Sequence, residues 1–439
     1  MLLKYLTPKS FSLALIAGLA IHIHASYLDY PTTSSARQQC ALDIPVSFQH
    51  GSYRMSPLPL DDTTLDLPSS YSPWTHPPAC LTSLLDSSEK YCIYTNDGQG
   101  SNGVSIITRP SLAAASAAVL LNEKLSDHFA ARAGRNDSHL HLLPSALPGS
   151  PSSSVPVELP YEIVNMSEKG KGVLATRRIR KAEVLMLDHA SLLVAAAFPG
   201  SVRQVDGYEI LHRAADQLRD PGRVLGLGRS SKGAADVLED VIRTNSFAFD
   251  LGGEPHMAVY PEISRINHGC NPNAFARFLP HSLAASIIAF RDIEPGEEIT
   301  ISYIPFASPT SERQALLSRW NFNCTCALCA SSPSTRASSD YRRTKIRSLR
   351  EEILEAIGKR DGTRAVTLSH EVLRLAQIEK LEPLYGETYN TIARIYWHAG
   401  DKRTAERYAR LSLRTLGEQG YIDDREEHLE TLLKTFEEP

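Results

Sequence analysis

Three cysteines fall within six positions in the segment Asn321-Phe322-Asn323-Cys324-Thr325-Cys326-Ala327-Leu328-Cys329. Three thiolates at this spacing can occupy three corners of the tetrahedron that zinc prefers, and a closed structural site needs a fourth ligand from elsewhere. Cys270 is the best candidate, because it is the only other cysteine in the strand-rich block that this segment ends. The competing reading is a disulfide between Cys326 and Cys329, which leaves two thiols without a purpose.

Three further segments concentrate polar chemistry. Arg265-Ile266-Asn267-His268-Gly269-Cys270-Asn271-Pro272-Asn273 crowds amide, imidazole and thiol groups among turn formers, which supplies directional donors and acceptors beside a metal ligand. Glu168-Lys169-Gly170-Lys171-Gly172-Val173 alternates glycines before a strand, a pattern that permits a tight turn and close backbone approach to a ligand. Taken alone, that pattern is what an ordinary hairpin turn also shows. Ile293-Glu294-Pro295-Gly296-Glu297-Glu298 is a Pro-Gly turn leading into Ile299-Thr300-Ile301-Ser302-Tyr303, a β-branched run that delivers a tyrosine at its end.

The elements that must hold these segments are legible in outline. Short β-type runs at Val173–Ala175, Val184–Leu187, Ser286–Phe290 and Ile299–Tyr303 predict a strand-rich core over 160–306, interrupted by a polar, helical insert at about 201–244. Residues 307–335 carry the cysteine cluster. Over 340–439 Ile346, Leu349, Ile353, Leu354 and Ile357 recur at helical spacing, and Tyr389, Ile392, Ala393, Tyr396, Gly400 and Ala405 follow the small and large pattern of a tetratricopeptide-like helix pair. The fold class expected is therefore α+β, followed by an all-α region. Residues 26–159 read as an extension and linker: they are rich in Pro, Ser and Thr, with short strand-like islands at Tyr91–Tyr94 and Val104–Thr108 and a helix over Ser111–Phe129.

The chain has 439 residues, enough for two or three domains, and 46 basic against 50 acidic side chains. A formal charge of -4 sets up no strong field, so direct nucleic-acid binding is not expected. The apolar run Phe11–Ile23 follows Lys4 and Lys9 and ends near Ala25 and Ser26. It is too short to span a bilayer and has the form of a secretory signal over 1–25, a buried N-terminal helix being the alternative. No other segment is apolar enough to cross a membrane. Cys40, Cys80 and Cys92 form a separate, early population, of which two can pair in an oxidising compartment. A thiolate zinc site favours the nucleus or cytoplasm instead.

In their order and spacing, the Gly-x-Gly turn, Asn267-His268-Gly269-Cys270-Asn271-Pro272-Asn273, Glu297–Tyr303 and Cys324–Cys329 resemble the SET-domain lysine methyltransferases, over about 161–330. The chain is most similar to the SET and MYND-domain type, whose SET core is also split by a helical insert and followed by a helical region. Thr244-Asn245-Ser246-Phe247 matches that subgroup, while the insert holds no cysteine and hence no MYND finger. The resemblance implies a protein-lysine N-methyltransferase that uses S-adenosyl-L-methionine and carries a post-SET zinc ion. By the same likeness, Lys169, Gly170, Gly172, Asn245, Asn267 and His268 would hold the cofactor, and Phe322 would stack on its adenine. Tyr303 would be the catalytic residue; Tyr260 would line the lysine channel, simple packing being the equal alternative. The implied partner is a protein or peptide presenting a lysine, histone or otherwise. The alternative is a SET-like binding scaffold without activity. A second rival is a secreted protein with disulfides in place of zinc.

Overall fold

The computed structural model describes residues 73–121, 159–279 except 168 and 229–233, 283–419, and five positions between 429 and 436. The expected signal at 1–25, Cys40 and most of the 134–159 linker lie outside the described residues.

Thirteen strands and ten α-helices follow one another in the described residues. Strands β1 (Ala79–Thr82), β2 (Lys90–Asn96) and β3 (Val104–Thr108) precede helix α1 (Pro110–Leu121). Strands β4 (Tyr161–Met166), β5 (Gly170–Ala175), β6 (Val184–His189) and β7 (Leu192–Ala195) lead into the insert. The insert holds α2 (Phe198–Ser201), α3 (Gln204–Asp216), α4 (Gly222–Leu225) and α5 (Val237–Asn245). Six more strands follow: β8 (Ser246–Leu251), β9 (Glu254–Val259), β10 (Asn267–His268), β11 (Ala274–Leu279), β12 (Ala284–Ala289) and β13 (Glu298–Ile301). The C-terminal helices are α6 (Thr310–Leu317), α7 (Pro333–Gly358), α8 (Gly362–Ile378), α9 (Pro383–His398) and α10 (Lys402–Glu418).

The strands form three sheets, ordered β1-β2-β3-β7-β9-β8, β10-β13-β5-β4 and β11-β12-β6. Within the expected extension, the strand-like islands at Tyr91–Tyr94 and Val104–Thr108 are strands that join the core. Strand β3 pairs in parallel with β7, through Ser105↔Leu192 to Ile107↔Val194, so the early strands complete the largest sheet. The reason is burial on both faces. Val104 and Ile106 pack into the central core with Val173, Leu185 and Tyr260, while Ile107 turns the other way onto insert residues such as Leu211 and Val241. A strand buried on both sides shows no polar alternation, which is why β3 read as an isolated island. Each fully buried isoleucine there contributes roughly 2 kcal/mol. Cys80 and Cys92 sit opposite each other on β1 and β2 and are joined as a disulfide.

The C-terminal helices begin where local chemistry says they must. Ser332 accepts from the Thr335 amide to start α7, Asp361 from Arg364 to start α8, and Asp401 from Thr404 to start α10. Each side chain satisfies an amide that the first helical turn leaves unpaired. Gly400, at φ +84, takes the left-handed turn that ends α9 and that side chains disfavour. Small residues meet at the α9/α10 contact: Ala393, Ala405 and Ala409 are fully buried, and a Cβ on Gly386 would lie 3.3 Å from Leu416. Among the described residues no helix is long and apolar enough to cross a membrane.

Candidate active site and metal centre

Strand β10 is only two residues long, but it pairs in parallel with β13 through Asn267↔Thr300 and His268↔Ile301. That pairing sets the Asn-His pair beside the chain that runs on to Tyr303, two residues beyond the strand. On the other side of β13, β5 pairs through Glu298↔Leu174 and brings up the glycine turn. Three segments far apart in sequence thus meet at one sheet edge.

They open onto a cavity of about 960 Å³ lined by Lys169, Gly170, Asn245, Asn267, His268, Tyr303 and Phe322, with Cys324 and Cys326 at its margin. Gly172 does not line it. It lies beneath, where a Cβ would come within 2.8 Å of the Asn267 amide nitrogen and 2.6 Å of Met166 Cγ. The missing side chain is what lets the Asn267 amide occupy its place. Asn267 donates to Glu298 Oε1 at 2.9 Å, and Lys169 reaches the other carboxylate oxygen at 2.8 Å. Glu298 therefore ties the turn to the Asn-His strand. Asn245, at the end of α5, donates to the Leu227 carbonyl at 3.3 Å and to Thr244 Oγ1 at 2.8 Å, which couples the insert to the same cavity.

The His268 ring is committed on both sides. The Tyr303 backbone N–H donates to Nδ1 at 3.0 Å, so Nδ1 must accept and the ring hydrogen sits on Nε2. Nε2 faces Cys270 Sγ at 3.3 Å. Burial lowers the His268 pKa to about 4, which keeps the ring neutral. For a ligand in the cavity, His268 has its backbone to offer. Tyr303 donates its hydroxyl proton to the Ile266 carbonyl at 2.6 Å, and its ring packs 5.5 Å from His268 and 5.4 Å from Trp320.

Cys270, Cys324, Cys326 and Cys329 are free thiols whose sulfur atoms all lie within 4.8 Å of one another. Cys270 Sγ is 3.8 Å from Cys324 Sγ and 3.6 Å from Cys329 Sγ. This is the donor set and separation of a four-thiolate zinc site, with ligands on two distant segments. Contact with Cys324 raises the Cys270 thiol far above its ordinary range, whereas contact with Cys270 lowers Cys326 far below it. Cys270 and Cys324 share one packed cluster with Tyr303, Trp320 and Phe322, so the sulfur site and the cavity wall are mechanically continuous.

Several cavity residues were not anticipated from the sequence. Trp320 donates its indole N–H to the Thr244 carbonyl at 3.0 Å, closing the cavity between the cysteine segment and the insert. Arg265 lines the wall and donates to the Gly226 carbonyl at 3.0 Å. An aromatic two residues before Phe322 was the one local signal for Trp320. Tyr260 is fully buried, with ring centroids 5.9 Å from those of Phe247 and Phe278, the arrangement its packing alternative describes.

Residues 170–304 match the SET domain family, and the chain carries a SET domain there. N-lysine methyltransferase SMYD2-B of Danio rerio is 34% identical over 125 residues, covering 28% of this chain and 27% of that protein. Histone-lysine N-methyltransferase ATXR2 of Arabidopsis thaliana is 45% identical over 80 residues, 18% of this chain and 17% of that protein. Histone-lysine N-methyltransferase set5 of Schizosaccharomyces pombe is 39% identical over 85 residues, 19% of this chain and 27% of that protein. The chain thus spans about a quarter or less of the length of these relatives.

Proposed function

We propose that this SET-domain chain is an S-adenosylmethionine-dependent protein-lysine N-methyltransferase. The observation that carries the reading is the convergence of Lys169, Gly170, Asn245, Asn267, His268, Phe322 and Tyr303 on one cavity, backed by four clustered thiols. Adenosylmethionine, when bound, supplies a methyl group activated by its sulfonium. Zinc, when bound by Cys270, Cys324, Cys326 and Cys329, supplies a rigid cross-link between the Asn-His strand and the segment bearing Phe322.

The chain's own residues would do the rest. Lys169 and Gly170 border the cavity where backbone and charge can meet an amino-acid end, and the Asn267 amide is held for a polar contact by Glu298. Phe322 offers a flat ring for a base. The Tyr303 hydroxyl has its proton committed to Ile266, so its oxygen presents acceptor character. An acceptor at that point orients a lysine amine and favours positive charge developing nearby. Tyr303 and Trp320 also form an aromatic wall, which disfavours the ammonium form of an entering lysine and so favours the neutral nucleophile. Alignment of amine and methyl in a closed site can lower the barrier by roughly 7–11 kcal/mol.

The test is transfer of a labelled methyl group from adenosylmethionine to histones, to cell-extract proteins and to the chain's own lysines, read by mass spectrometry. Lysine methylation that needs the Tyr303 hydroxyl supports the reading. Adenosylmethionine binding without transfer to any of these would favour the binding-scaffold alternative.

A further inference from the structure

Two arginines, Arg313 on α6 and Arg343 on α7, have only 1% of their surface exposed; the first meets Cys329 Sγ and the second the Cys270 backbone. Burying a guanidinium is costly unless a negative charge or a full set of acceptors receives it. Arg313 donates to the Ser308 carbonyl at 2.8 Å and to Thr310 Oγ1 at 2.8 Å, and it points a further N–H at Cys329 Sγ, 3.9 Å away. Asp340 is 3.5 Å from its other nitrogen. Arg343 donates to the Cys270 carbonyl at 3.3 Å and to Asn271 Oδ1, inside the loop that carries the fourth thiol. Its Nε is 2.8 Å from Glu379 Oε2, at the end of α8, where Ser339 also donates at 2.6 Å. Arg342 holds the second oxygen of Glu379 at 2.6 Å, so that carboxylate is shared between two cations and neutralises neither alone.

Four thiolates around one divalent zinc leave two negative charges in excess. Cations packed against such a centre stabilise the loaded state, and groups that hold ligands in place act on metal retention although they never touch the metal. We propose that Arg313 and Arg343 are positioning residues of the metal centre. Arg313 brings positive charge from α6 to Cys329, and Arg343 brings it from α7 to the backbone of the Cys270 loop, so that zinc loading and docking of α7 and α8 onto that loop form one coupled equilibrium. The helical region is then a structural partner of the cofactor cavity as well as its neighbour in sequence. By linkage the coupling runs both ways: loosening the helices weakens zinc binding, and removing zinc loosens the helices.

This inference rests on the zinc site of the proposed function, and the experiment separates the two. Full-length protein is analysed for zinc and then challenged with a colorimetric chelator, for the wild type and for Arg313→Met, Arg343→Met, Arg343→Lys and Arg374→Met. Arg374 pairs with Glu371 on the exposed side of α8 and serves as the control. The expected result is about one zinc per wild-type chain, zinc release at least roughly tenfold faster in both methionine variants, partial rescue by Arg343→Lys and no change in Arg374→Met. Because a methionine variant can fail to fold, hydrogen exchange of the wild type is measured with and without zinc. Chelation is expected to raise exchange around 339–346 and 376–381 while sparing 402–418. Zinc absent from the wild type would overturn the metal reading itself. Zinc present, with unchanged release in folded variants or unchanged exchange at 339–346, would overturn this inference alone.

Discussion

The Tyr303 backbone N–H donates to His268 Nδ1 at 3.0 Å while the opposite nitrogen of the same ring faces Cys270 Sγ at 3.3 Å. One neutral imidazole thus spans the tyrosine at the cavity wall and a thiol of the metal centre. Replacing His268 by Ala removes both contacts and leaves a buried N–H without an acceptor, a loss worth about 1–3 kcal/mol. The expected outcome is a lower melting temperature together with faster zinc release. A variant that kept wild-type zinc retention would show the ring to be simple packing.

Tyr303→Phe keeps the ring against His268 and Trp320 but deletes the hydroxyl that meets the Ile266 carbonyl. Methyl transfer is expected to fall by roughly 10²–10³-fold, with adenosylmethionine affinity nearly intact. Turnover and calorimetric binding measured on the same preparation check both halves. Undiminished turnover on a verified substrate would remove Tyr303 from the chemistry.

Cys324→Ser should abolish stoichiometric zinc, because three remaining thiolates cannot close a tetrahedron. Since Cys324 packs in one cluster with Phe322 and Trp320, cofactor affinity should fall alongside. Metal analysis and calorimetry on the purified variant would read the two losses, and zinc retained at the wild-type level would refute the closed site.

Gly172→Ala places a Cβ within 2.8 Å of the Asn267 amide nitrogen and 2.6 Å of Met166 Cγ. The methionine can give way, whereas the amide is held by Glu298. Overpacking of this kind costs about 1–3 kcal/mol, and the displaced amide should weaken adenosylmethionine binding by roughly tenfold, about 1.4 kcal/mol. Unaltered affinity in a folded variant would show that the Asn267 amide has no share in binding.

Asp188 is buried beneath the Tyr260-Pro261 turn, accepting from the Glu262 amide at 2.7 Å and the Ile263 amide at 3.2 Å. Burial outweighs those bonds and raises its pKa to about 7 from 3.8. In the folded chain the acid keeps its proton to higher pH than in the unfolded one, so its stabilising share is full below about pH 4 and is lost as pH rises through about 7. A shift of this size corresponds to a few kcal/mol, on the order of 1.4 per unit. Asp188→Asn can still accept from both amides and should flatten the fall in melting temperature between about pH 4 and pH 7. Parallel pH profiles of the two proteins test this, and identical slopes would exclude Asp188 as the source.

The cysteine spacing, the alternating glycines and the Asn-His pair were legible from residue types alone, because each is a local rule of ligand spacing or backbone freedom. Cys270 could be named as the missing ligand by elimination, but only its placement 3.6–3.8 Å from two other sulfurs gives that choice a geometry. The tertiary structure alone decided that β3 joins β7, that Cys80 meets Cys92, that Trp320 reaches Thr244, that Arg313 turns inward to the Cys329 thiol and that Arg343 reaches the Cys270 carbonyl. Their local sequences resemble those of exposed helix or isolated strand. What distinguishes them is a contact tens of residues away, and such contacts are set by burial of whole faces, which no local pattern records.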